Sequence, residues 1–192
     1  MVDRATALGA TAAGLVRSAD IVVADDLARL CERDPGCESF GLAPSCPPHV
    51  PGPAGFRKWQ ALSSYAVVVR IDIPSAAMFS GERREVMQLL HEIVANVEAE
   101  AYNMGYRGSK AFAGGSCKKI FCHDQRACQV LSEKGACRNP QSARPSMSGF
   151  GINVARLMQS AGWPAKKTLR DAASDGESMT WVAGLILISD FV

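Results

Sequence analysis

Apolar residues recur at helical spacing over residues 82–102, where Val86, Leu89, Leu90, Ile93, Val94 and Val97 share one face and Gly105 follows as a C-terminal cap. The run 65–73 is rich in β-branched residues, bounded by Ser63, Ser64 and Pro74, and reads as the clearest strand. Residues 181–188 form a second apolar strand, and 109–113 and 21–24 two shorter ones. Further helices are expected over 1–17, with Leu8, Ala12, Leu15 and Val16 on one side, and over 56–62, with Phe56, Trp59 and Leu62 turned inward. A helical turn is expected over 25–30, and a helix over 149–161 carrying Ile152, Val154, Leu157 and Met158, stopped by Gly162 and Pro164. Strands alternating with helices predict an α/β or α+β domain, a layered sheet with flanking helices.

Two segments carry no such periodicity, and both are rich in cysteine. Residues 31–55 hold Cys31, Cys37 and Cys46, spaced C-x5-C-x8-C, together with the six prolines Pro35, Pro44, Pro47, Pro48, Pro51 and Pro53. Proline fixes φ and removes an amide donor, so this stretch is stiff and irregular. A long irregular loop inside a compact domain is unusual unless it binds something. The second segment repeats the spacing in Cys122, Cys128 and Cys137, with Cys117 ahead of it, giving C-x4-C-x5-C-x8-C. The shared spacing suggests one domain over 1–192 made of two related halves, 1–105 with the three-cysteine loop and 106–192 with the four-cysteine loop.

Thiolates clustered within a short loop are the ligands of soft metals and of iron–sulfur clusters. Four cysteines in the 21 residues 117–137 make one complete ligand set, and the first group is one ligand short. Gly114, Gly115 and Gly135 flank the second group and let backbone amides turn toward sulfur, while Lys118, Lys119 and Arg138 lie where they offset cluster charge. The expected cofactor is a 4Fe-4S cluster on Cys117, Cys122, Cys128 and Cys137, with a second cluster if Cys31, Cys37 and Cys46 are also filled. A structural zinc site would use the same thiolates, although zinc sites favour tight C-x2-C pairs and none occurs. Three thiolates could instead leave one iron open to a ligand, or the seven could share one larger site. His49, three residues past Cys46, is a candidate fourth ligand and also reads as an exposed loop histidine. His123 reads as a surface or supporting residue beside Cys122, and His91 as a surface residue or one satisfied within its helix.

Composition narrows the partners. A net charge of +2 points to neither nucleic acid nor a strongly acidic surface, and the basic pairs Lys118–Lys119 and Lys166–Lys167 read as solvated surface. No stretch is long and apolar enough for a transmembrane span, and the first residues lack the pattern of an export signal. The reading is therefore a cytoplasmic protein, where clustered cysteines are more often metal ligands than disulfides. No phosphate-binding glycine loop or nucleophile elbow occurs, and no carboxylate pair stands out as acid and base. The oligomeric state and the question of catalysis stay open.

The cysteine blocks resemble a known family. Cys37-Glu38-Ser39-Phe40-Gly41 followed by Ser45-Cys46-Pro47-Pro48 resembles the N-terminal signature of DUF2284, described as predicted metal-binding proteins. Gly135-Ala136-Cys137-Arg138-Asn139-Pro140, then Ala143-Arg144-Pro145-Ser146-Met147 and Gly151-Ile152, are similar to the family's second block. The likeness runs over about residues 25–160. Ser148 stands where the family usually has an acidic residue, Asn153 where it often has Asp, and Phe40 where Tyr is common. The resemblance implies metal binding and no particular reaction. Chemistry and resemblance together predict an electron carrier, or a protein that supports the redox state of a partner enzyme. The alternatives are a zinc-organised interaction module and a metalloenzyme working through an open iron.

Overall fold

The computed structural model describes residues 1–33, 35–165 and 178–190. Helix α1 (Val2–Ala7) leads into strand β1 (Ala12–Arg17), a 3-10 turn over Ser18–Asp20 and helix α2 (Asp25–Arg29). After the first cysteine loop come α3 (Gly52–Ala61), β2 (Tyr65–Pro74), the single turn α4 (Ser75–Met78), the long α5 (Arg83–Asn103) and β3 (Lys110–Phe112). The second cysteine segment holds two short helices, α6 (Cys117–Phe121) and α7 (Gln129–Ser132). A 3-10 turn at Met147–Phe150, helix α8 (Val154–Ser160) and strand β4 (Met179–Ile188) complete the order. Among the described residues no helix is long and apolar enough to cross a membrane. The Lys166–Lys167 pair lies outside the described residues.

The four strands form one antiparallel sheet in the order β1-β2-β4-β3, which makes the architecture α+β. Strands β2 and β4 are central and pair along their whole length, from Tyr65 opposite Ile188 to Pro74 opposite Met179. Both their faces are covered, which is why their sequences run as continuous apolar stretches rather than alternating with polar residues. Val67, Val69, Ile71, Val182 and Ile186 meet Leu90, Ile93, Val94 and Val97 of α5 on one face. Ala66, Val68, Ala183, Leu185 and Leu187 meet Phe56, Phe112, Phe150, Leu157 and Met158 on the other. Gly184 of β4 allows the close approach of α5, since a Cβ there would stand 2.4 Å from Val94 Cγ1.

Four expectations change. The N-terminal helix stops at Ala7, because Gly9 takes φ +108° and residues from Ala12 pair with β2, Ala12 opposite Arg70 through Arg17 opposite Tyr65. The apolar residues Ala12, Leu15 and Val16 thus belong to a strand, and sheet pairing overrides their helical spacing. The helix expected over 149–161 is interrupted at Gly151, with φ +68° and its Cα so close to the Ala24 carbonyl that a Cβ would lie 2.3 Å from it. Asn153 then starts α8 as an N-cap, its side chain accepting from the Arg156 amide at 3.0 Å. Leu62, expected inside, is exposed. The segment 21–24 forms no strand beyond a bridge between Val23 and Ile152.

Candidate metal centre

The two cysteine segments meet at the end of strand β3. An isolated bridge joins Ala113 to Ser146, and the Ser146 amide donates to the Ser45 carbonyl at 3.1 Å. Residues before Cys117, after Cys137 and beside Cys46 are thus tied at one point. Two neighbouring hollows open there, and each takes one group of cysteines.

Cys117, Cys122, Cys128 and Cys137 line the smaller hollow, of about 20 Å³, with Phe121, Arg138 and Asn139. Helix α6 carries Cys117 in its first turn and releases Cys122 just beyond its end, and Cys128 immediately precedes α7. Lys118 Nζ donates to the carbonyls of Cys122 (2.7 Å) and Gln125 (2.6 Å), fixing the turn after Cys122. The Gly135 amide donates to Gln129 O at 3.1 Å, which folds the chain back to deliver Cys137. Among the described residues, three hydrogen bonds reach these sulfurs. Asn139 offers its amide N–H to Cys137 Sγ and its side-chain amide to Cys122 Sγ, each at 3.4 Å. The Ser45 hydroxyl lies 3.0 Å from Cys117 Sγ. Such donors stabilise negative sulfur. Among the described residues, no three Cys, His, Asp or Glu side chains are grouped closely enough to hold a single metal ion.

Burial pushes the Cys117 thiol up to about 11; the Ser45 hydrogen bond works against this, and the neighbouring thiols Cys46, Cys137 and Cys128 add to it. Crowded buried thiols resist ionisation together because each thiolate repels the next. A cationic centre reverses that, since thiolate is the form that binds metal. Four thiols that line one hollow, three of their sulfurs in hydrogen bonds, therefore suit thiolate ligation of a metal centre.

Cys31, Cys37 and Cys46 line the larger cavity, of about 690 Å³. Burial raises the Cys31 pKa, with smaller contributions from Cys37, Cys46 and Glu32. Cys46 and Ser116 separate the two hollows, Cys46 Sγ donating to Ser116 Oγ at 3.3 Å. His49 does not line the cavity; it is exposed, with Nε2 3.3 Å from the Gly41 carbonyl. Lys119 and Gly115 face this cavity instead of the four-cysteine hollow. His123 is also exposed and accepts from Arg84 Nη1 at 2.7 Å.

Residues that spacing does not single out hold the site together. His91 of α5 is fully buried, with Nε2 3.0 Å from the Gly114 carbonyl and Nδ1 accepting from the Arg144 amide at 3.1 Å. Its ring packs edge-on against Phe121. One side chain thus holds the chain on both sides of the four-cysteine segment. Glu98, two turns further along α5, pairs with Arg144 Nε at 2.7 Å and accepts from the Ala111 amide at 2.6 Å. The spacing of His91 and Glu98, seven residues apart on one helical face, was the available signal.

No curated protein and no solved structure matches the chain. The family model for predicted metal-binding protein (DUF2284) matches residues 14–188. That span includes all seven cysteines, three whole strands and most of β1, and the chain belongs to this family.

Proposed function

We propose that the chain is a cytoplasmic iron–sulfur protein that carries single electrons to or from a partner protein. The single observation behind this reading is the four-thiol hollow, with Asn139 donating to two of its sulfurs and the Ser45 hydroxyl in hydrogen-bond contact with a third. Cys117, Cys122, Cys128 and Cys137 would hold a 4Fe-4S cluster, which when bound supplies one-electron chemistry at a potential set by hydrogen bonding and exposure. The chain's own residues set those conditions. Asn139 and Ser45 stabilise negative sulfur, Phe121 shields one side from water, and Lys118 fixes the Cys122 turn. A reducing compartment suits a chain with seven thiols.

The three-cysteine cavity favours a second reading, in which Cys31, Cys37 and Cys46 hold a further cluster with one metal position facing open space. The variant Cys128→Ala tests the first reading: its iron content should fall to the level of the three-cysteine site alone, with a loss of stability because metal binding and folding are coupled. Full iron retention in that variant would refute it.

A further inference from the structure

We infer that the large cavity is a binding site for a small organic anion bearing a carboxylate or phosphate. Its volume, about 690 Å³, lies within the range of about 300–1,000 Å³ that small-molecule sites occupy. Its charge is one-sided. Glu38 is the one carboxylate among the lining residues, and it is consumed by Lys119, Nζ to Oε2 at 2.7 Å. Two guanidinium groups remain. Arg84 donates to a ring nitrogen of His123, and among the described residues neither Arg84 nor Arg83 forms an ion pair, although Arg83 adds to the field that holds the Glu38 carboxyl ionised. Both lie in the first turn of the 21-residue α5, whose N-terminal dipole adds positive potential. A guanidinium fork matches the paired oxygens of a carboxylate or phosphate.

The buried end of the cavity supplies an independent pointer. Ser146 lines it and is 7% exposed, so a hydroxyl stands at the floor of the cavity. A nearly buried hydroxyl at a cavity floor can meet a ligand's polar atom. The wall between rim and floor is apolar, built from Phe40, Met87 and Ile120, which suits a carbon skeleton rather than a bare inorganic ion. A molecule held by its anionic end at Arg83 and Arg84 would extend toward the thiols of Cys31 and Cys46. The inference does not depend on which metal the cysteines bind.

Calorimetric titration of the full chain, purified without oxygen, with inorganic phosphate and separately with succinate, tests this directly. Iron is assayed on the same samples. At least one anion should bind saturably, one per chain, and bind at least about ten-fold more weakly to Arg83→Gln/Arg84→Gln of unchanged iron content. Affinity should fall with added salt. Binding of phosphate alone identifies a phosphorylated ligand, and of succinate alone a carboxylate. Saturable binding to iron-free protein would support the cavity while removing the cluster. Failure of both anions to saturate by about 20 mM, or equal affinity in the double variant, would overturn the inference. So would a double variant that loses its iron while keeping its anion affinity, since the guanidinium groups would then serve the thiolates.

Discussion

Ser45 Oγ lies 3.0 Å from Cys117 Sγ, so the first cysteine loop touches the first thiol of the second group across 72 positions of chain. With a free thiol either group can donate; with a metal-bound thiolate only the hydroxyl can. That hydrogen bond strengthens as the centre gains negative charge, so it favours the reduced form. Ser45→Ala should lower the reduction potential by tens of millivolts, where about 59 mV corresponds to ten-fold for one electron. Iron content should be unchanged. Redox titration followed by EPR measures it, and an unchanged or raised potential would contradict the role given to Ser45.

His91 supplies a pH dependence. Burial holds its pKa down at about 4, against 6.5 for an ordinary histidine; the Gly114 carbonyl partly opposes this and Arg144 adds to it. Above pH 6.5 the ring is neutral in both folded and unfolded chains and contributes no slope. Between 6.5 and 4 the unfolded chain takes up a proton that the folded chain refuses, so stability falls as pH falls. The full loss is about 3 kcal/mol. His91→Gln should have lower stability at pH 7 and lose most of this slope. Urea unfolding of both proteins at pH 7 and pH 5 gives the comparison, and parallel losses would contradict it.

Gly184 tests the packing of α5 on the sheet. A Cβ there would meet Val94 Cγ1 at 2.4 Å and the Phe112 carbonyl at 3.2 Å. Gly184→Ala should cost about 1–3 kcal/mol and lower Tm by roughly 5 °C. The cysteine hollows lie beyond the strand end, so metal content should hold. Thermal melts with iron assays check both halves of this expectation.

The central strands and the long helix were legible because each has one dominant local signal, β-branched runs for β2 and β4 and a 3.6-residue period for α5. The segment around Ala12–Arg17 was not, since its apolar residues fit a helix and only pairing with β2 decides for a strand. Gly151 was similarly hidden: its need to pass the Ala24 carbonyl is a contact across 127 positions, invisible to local reading. The division of the seven cysteines into four and three was readable from spacing, and the two hollows follow that division. Spacing gave no sign that Ser116 stands with Cys46 between them. Nor could it place Lys119 on the larger cavity, because α6 turns successive residues to different sides, or Gly115, which takes φ +77° ahead of that helix.

Iron and acid-labile sulfide analysis of protein purified without oxygen, with its visible and EPR spectra, tests the central claim most directly. The account predicts brown protein with iron and sulfide in equal amounts, about four of each per chain, or about eight if the three-cysteine site is also filled. Colourless protein with zinc and no sulfide would contradict it.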